Sequence, residues 1–139
     1  MTMANGQHGS LLECLLFMSQ HYGMANTREA LTAGLPLKDG MLTPELFPRA
    51  AHRAGFVVDY FASSLEVIPT LLLPCILLMK DGRSAVLISV DKDASQAVLF
   101  VPVGSVGQQT IPFAVLENEF SGHGFYIKRR LQFDDRAPE

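Results

Sequence analysis

The order of patterns along this 139-residue chain predicts an α+β domain, with helices first and an antiparallel sheet after them. Two observations carry that prediction. Before Gly55 the apolar residues recur at helical spacing, in segments opened by Ser, Asn or Thr and closed by Gly; after Gly55 short apolar runs at strand spacing alternate with turn residues. The length allows one core, because a second would need more chain than remains. An apolar share of 48% against 18% charged residues is that of a packed domain and excludes disorder as its general state.

Each element has a local reason. Ser10-Leu11-Leu12-Glu13 reads as a capping box that opens a first helix, with Leu15, Leu16, Met18 and Tyr22 as its apolar surface and Gly23 as its stop. Asn26-Thr27-Arg28-Glu29 repeats that logic for a short second helix ending at Gly34, before Pro36. A third begins at Thr43 or Glu45 and ends at Ala54, with Gly55 as its left-handed cap and small Ala50, Ala51 and Ala54 for close packing. Strands are expected at Phe56 to Phe61, Cys75 to Met79, Ser84 to Val90, Ala97 to Val101 and Gly124 to Lys128. Lys80-Asp81-Gly82-Arg83 reads as a hairpin turn, Gly104-Ser105-Val106-Gly107 as another, and Pro112 to Glu117 as a short helix. The polar ends divide the chain into a flexible stretch 1–9, a domain 10–130 and a linker 131–139.

Composition also narrows function. Eleven Lys and Arg against fourteen Asp and Glu give a net charge of −3, so no broad positive field is expected to attract nucleic acid or anionic lipid. The apolar stretch Val67 to Met79 is cut by Pro69 and Pro74 and falls short of the ~20 residues of a membrane span. The N-terminus lacks the pattern of a secretory signal, and the two cysteines, Cys14 and Cys75, sit in apolar settings that suit a reducing compartment. His8, His21, His52 and His123 are scattered without metal-ligand spacing, so no zinc is expected.

The candidates for chemistry each have a structural explanation. A helix start beside a sheet is where a thiol becomes a nucleophile, yet the residue there is Ser10, which an N-cap role accounts for. Cys14 and Cys75 read as buried core, His123 as a surface or backbone-bonded residue in a Gly-rich turn, and His52 as a solvated helix residue. Gly104 to Gly107 lacks the lysine and helix of a phosphate loop, and the pairs Glu117 with Glu119 and Asp134 with Asp135 lie in polar, solvated settings. Leu71-Leu72-Leu73 and Leu77-Leu78-Met79 fit either core or a groove for an extended chain.

Taken in order, four segments resemble the bacteriocin-leader cysteine peptidases, papain-like domains at the N-terminus of ABC exporters. They are the helix Leu12 to Gly23, the strand-turn-strand from Leu73-Pro74-Cys75-Ile76 to Asp81-Gly82-Arg83-Ser84-Ala85-Val86-Leu87, the strand Val98 to Pro102, and Glu119-Phe120-Ser121-Gly122-His123. The resemblance covers about residues 10 to 130 and implies a papain-like fold, with N-terminal helices packed on an antiparallel sheet. Aligned on that family, Ser10 stands at the catalytic Cys, Ser84 at the His and Val101 at the Asp. The resemblance therefore implies a triad lost at all three positions and no peptidase activity.

What remains resembles the inactive peptidase-like domain of haemolysin-type exporters in type I secretion. It implies a domain on the cytoplasmic side of the bacterial inner membrane that binds an unfolded RTX protein, toxin or adhesin, before export. The implied partners are the rest of the ABC transporter, its membrane-fusion partner and a second copy in a homodimer, with no nucleic acid. No cofactor is implied here, since ATP and Mg²⁺ would belong to a nucleotide-binding domain outside this sequence, and Leu131 to Glu139 would lead towards a membrane domain. Relative to that group, Leu78 replaces a common aromatic and Ser84 a histidine. Tyr22, Leu78 and Phe100 are expected to line the groove, with Arg83, Ser84 and Ser10 as polar contacts. Two other readings stay open: a structural or assembly role without substrate contact, and an active peptidase pairing Cys14 or Ser10 with His52 or His123.

Overall fold

A computed structural model of the chain describes residues 2–38, 40–102 and 107–130. It is an α+β domain with three N-terminal helices, α1 (Thr2–His21), α2 (Arg28–Thr32) and α3 (Phe47–Ala54). Strands β1 (Phe56–Ala62), β2 (Cys75–Met79), β3 (Ser84–Asp91), β4 (Gln96–Val101), β5 (Gly107–Pro112) and β6 (Phe120–Arg129) follow, with α4 (Phe113–Glu119) before the last. Two single 3₁₀ turns, Leu65–Val67 and Thr70–Leu72, lie between β1 and β2. The strands form one antiparallel sheet in the order β1-β6-β2-β3-β4-β5.

The sheet carries a core on each face. On one, α1 to α3 place Leu11, Cys14, Leu15, Met18, Leu31, Phe47, Ala50 and Ala51 against Phe56, Ile76, Val86, Phe125 and Ile127. On the other, Leu65, Ile68 and Leu116 cover Phe61, Cys75, Leu77, Leu87, Ala97, Leu99 and Phe120. Alternation along β2 sends Ile76 to the first core and Cys75 and Leu77 to the second, which is why this strand is an unbroken apolar run. Leu77 is therefore core and Leu78 half-buried, whereas Leu71 is 93% exposed.

Several expected details change. The helix assigned to Ser10 onwards is already helical from Thr2, so Ser10 is an interior residue and caps nothing. Both halves of the expected capping box are engaged elsewhere: the Ser10 hydroxyl accepts from the Ser84 N–H, and the Glu13 carboxylate takes two bonds of 2.7 Å from Arg28. The other end is as expected, with Gly23 at φ +72 in a Schellman arrangement closed by Met24 N–H to Ser19 O. The cap of α2 is Thr27, whose oxygen accepts from the Ala30 N–H; Asn26 instead donates to Ser19 Oγ and Ala54 O, tying α1 to α3. α3 starts at Phe47 and not at Thr43 or Glu45, with Pro48 in its first turn, where the missing N–H costs nothing.

Strand β5 was not expected. Its only strongly apolar residue is Ile111, and its exposed Gln108, Thr110 and Pro112 alternate towards solvent at the sheet edge, where proline is tolerated. α4 runs two residues beyond Glu117, and β6 is longer than expected at both ends. Most of the expected Gly104 to Gly107 turn and the expected linker 131–139 lie outside the described residues.

Gly124 on β6 marks the tightest contact of the sheet: a Cβ there would sit 2.3 Å from Ile76 O and 2.7 Å from Phe61 Cζ. Backbone cannot yield as a flexible side chain can, so Gly124→Ala is expected to lower unfolding free energy by about 2–4 kcal/mol. Urea denaturation followed by circular dichroism checks it, with Gly40→Ala, which meets only open space but has positive φ, expected to lose about 1 kcal/mol.

Candidate functional site

The antiparallel registers align residues of three strands into one row on the helix-bearing face, which Tyr60 of β1 extends through its side chain. Leu78 of β2 stands opposite Ser84 of β3 on one side and opposite His123 of β6 on the other. Ser84 is buried, and its N–H donates to Ser10 Oγ at 2.8 Å, so α1 closes one end of the row. At the other end the Tyr60 hydroxyl of β1 hydrogen-bonds His123 Nδ1 at 2.6 Å, with the two rings stacked and their centroids 5.7 Å apart. Phe125 meets Tyr60 edge-on at 5.7 Å and packs on Phe47 at 4.7 Å.

Where α3 begins, the row opens into a cleft of about 470 Å³. Pro44, Glu45 and Pro48 form one wall, and Tyr60, Leu78, His123 and Phe125 the other. Tyr60 is 59% exposed, a large ring left in solvent beside the half-buried Leu78. Such a surface suits an extended polypeptide, whose side chains can lie on rings and prolines while its backbone stays hydrated.

The row also limits what chemistry is available. A general base must come within about 3 Å of the hydroxyl it activates. Strands about 4.8 Å apart put β6 and β3 roughly 10 Å from one another, with Leu78 between them. His123 is, moreover, held by Tyr60 on the side of β6 that faces away from Ser84. His52 lies on the exposed outer face of α3. Cys14 is fully buried; loss of hydration, aided by the charge of Glu13, pushes its thiol far above the ordinary range. Burial likewise pushes the Cys75 thiol up to about 12. Both read as the core cysteines expected from sequence.

The expected site residues are only partly gathered. Ser10 and Ser84 meet directly, and Leu78 adjoins Ser84. Arg83, Ser84 and Val101 border a second cavity of about 300 Å³, although Val101 packs against the core on the opposite face of the sheet from Ser10. Arg83 is taken up by its own turn, where Nε and the backbone N–H donate to Asp81; the bond from the Arg83 side chain holds the Asp81 carboxyl below its usual range. Phe100 stacks on Phe17 at 4.3 Å, beside a separate cavity near the Glu13–Arg28 pair. Tyr22 packs on Phe56 at 5.6 Å. Leu78 lines the cleft beside α3 and Phe100 the cavity near the Glu13–Arg28 pair, while all three side chains pack on the same core. Sequence reasoning missed Tyr60 and passed over His123, whose link is a pairing between β1 and β6 separated by some sixty residues of chain.

A helix laid across an antiparallel sheet, with its Ser10 beside the first residue of a strand after a tight turn, is the helix–strand meeting at which papain-like peptidases assemble their sites. The comparisons with solved structures place the chain within that class. The N-terminal peptidase C39 like domain of the toxin secretion ATP-binding protein from Vibrio parahaemolyticus is 41% identical, with a TM-score of 0.84 over 88% of this chain and 98% of that one. The chain belongs to the peptidase C39-like domains found in such transporters. Two more distant structures share the fold. One is a double glycine motif protease from an AMS/PCAT transporter, in complex with the leader peptide, at 17% identity and TM-score 0.72 over 87% of this chain and 84% of that one. The other is the peptidase domain of Streptococcus ComA, a bi-functional ABC transporter involved in a quorum sensing pathway, at 15% identity and 0.73 over 88% and 93%. No protein-family model and no curated protein matches the sequence. Among the described residues no helix is long and apolar enough to cross a membrane.

Ser10→Ala would leave the buried Ser84 N–H without this acceptor and is expected to cost about 1–3 kcal/mol in urea denaturation. Ser10→Thr, which keeps the hydroxyl but adds a methyl in a packed site, is expected to lose at least part of that through strain. Neither cysteine should react with iodoacetamide at pH 8 in the native protein, and both should react in denaturant; intact-mass spectrometry distinguishes the two.

Proposed function

We propose that this chain is a non-catalytic, substrate-recruiting domain of a type I secretion ABC transporter. It holds an unfolded RTX-type polypeptide on the cytoplasmic side of the bacterial inner membrane before export. The observation that carries this reading is the row from Ser10 to Tyr60. Its hydroxyl end accepts from the Ser84 backbone N–H, with His123 two strands away on β6, while its other end is an exposed cleft of rings, prolines and Leu78. The family membership supplies the transporter context.

In this reading Ser10, Ser84 and Val101 are triad positions without a triad. A serine with no base nearby is not deprotonated near neutral pH, and valine cannot orient an imidazole. ATP and Mg²⁺ act in another part of the transporter, which works as a homodimer with a membrane-fusion partner. The contacts at the cleft must offset the entropy of ordering an unfolded chain, so affinity is modest, with Kd of about 1–100 μM.

Fluorescence anisotropy with a labelled RTX-repeat polypeptide, kept unfolded by removing calcium, tests this. Tyr60→Ala and Leu78→Ala are each expected to raise Kd by about 5- to 30-fold, as loss of an interface anchor does, with little change in melting temperature. The mass of the polypeptide, and of a double-glycine leader peptide, is expected to be unchanged after overnight incubation. Unaltered Kd in both variants would move the site elsewhere. Cleavage abolished by Cys14→Ala would establish a peptidase instead.

A further inference from the structure

The net charge of −3 conceals a local segregation of cations. The exposed face of α3 carries Arg49, His52 and Arg53 at the spacing that puts them on one stripe, opposite the buried Phe47, Ala50, Ala51 and Ala54, and the helix holds no acidic residue. The end of β6 adds to this stripe. Arg130 N–H donates to Gly55 O, the cap of α3, and Arg129 stands opposite Phe56, the residue after it.

Among the described residues no carboxylate pairs with Arg49, Arg53 or Arg129. Among the described residues the cations paired with carboxylates are Arg28, Arg83 and Lys128, the last only at 3.9 Å from Asp59. The Arg53 guanidinium donates to the backbone carbonyls of Ala30, Leu31 and Ala33, which satisfy its hydrogen bonds but leave its charge. Arg130 Nε is buried without a hydrogen-bond partner among the described residues, so of the β6 end it is Arg129 that offers its charge to solvent.

We propose that this corner, the outer face of α3 with the end of β6, docks on the anionic phospholipid headgroups of a bilayer. Several guanidinium groups on an outward face match a plane of phosphates better than one bound anion, and each is weakly hydrated and holds phosphate bidentately. The first turn of this same helix walls the Tyr60–His123 cleft, so docking through α3 would hold the cleft close to the bilayer.

Co-sedimentation with large vesicles tests this without any secretion substrate, so its outcome is separate from that of the polypeptide experiment. The chain is expected to bind phosphatidylcholine vesicles containing about 40% phosphatidylglycerol at about 25 mM salt, weakly or not at all at about 150 mM, and never pure phosphatidylcholine. Each cation near an anionic surface is worth about fivefold, so Arg49→Gln combined with Arg129→Gln should weaken binding about 25-fold. Both side chains are exposed, so folding should persist, as circular dichroism will verify. Lys80→Gln with Lys92→Gln removes the same charge elsewhere and should change binding less than twofold. Equal loss in that control, equal binding to neutral vesicles, or binding to polyglutamate but not to anionic vesicles would each overturn the proposal.

Discussion

The seating of α1 on the sheet is the constraint on which the site depends. Leu11, Cys14, Leu15 and Met18 supply its driving force by leaving water together with Ile76, Val86, Phe125 and Ile127. Apolar burial has no direction, however, and would tolerate small rotations of a helix this regular. The bond from the Ser84 N–H to Ser10 Oγ is directional and buried, and it sets both the rotation of α1 and its height on β3. From Ser84 the antiparallel registers carry that alignment across β2 to Leu78 and β6 to His123. A slip of one residue in β3 would turn Ser84 to the other face and dissolve the row.

In the proposed function a peptidase-like scaffold serves binding. The helix–strand contact that could present a nucleophile to a base is used here to pin two elements together. What stays open is the side of the row nearest α3, where Tyr60, His123 and Leu78 meet prolines. The division follows from burial: Ser10 and Ser84 are buried where α1 meets β3, whereas Tyr60 and His123 are exposed beside the start of α3. One helix, α3, then has two distinct surfaces, with its first turn on the cleft and its outer face basic.

Element type was legible wherever the cause was local. Gly23 and Gly55 announce helix ends because only a left-handed residue closes them there, and β2 shows as an apolar run because both its faces are covered. Ser10 misled because its sequence context is that of a cap, while its partner is on a strand remote in sequence. β5 was hidden by its polar edge residues. The site was legible to the same degree. Ser10, Ser84 and Leu78 could be placed by likeness to a family, but Tyr60 joins them only through the β1–β6 register, and Tyr22 and Phe100 share apolar character with the cleft without sharing its location. The basic corner was invisible to net charge, since it depends on Arg129 returning beside α3.

The most direct measurement is a two-dimensional NMR titration of the isotope-labelled chain with an RTX-repeat polypeptide, once calcium-free and unfolded and once calcium-folded. The account predicts shifts in the unfolded titration only, clustered at Tyr60, Leu78, Ser84 and His123. Shifts with the folded form as well, or none at millimolar polypeptide, would contradict recruitment through this row and leave the domain a structural part of its transporter.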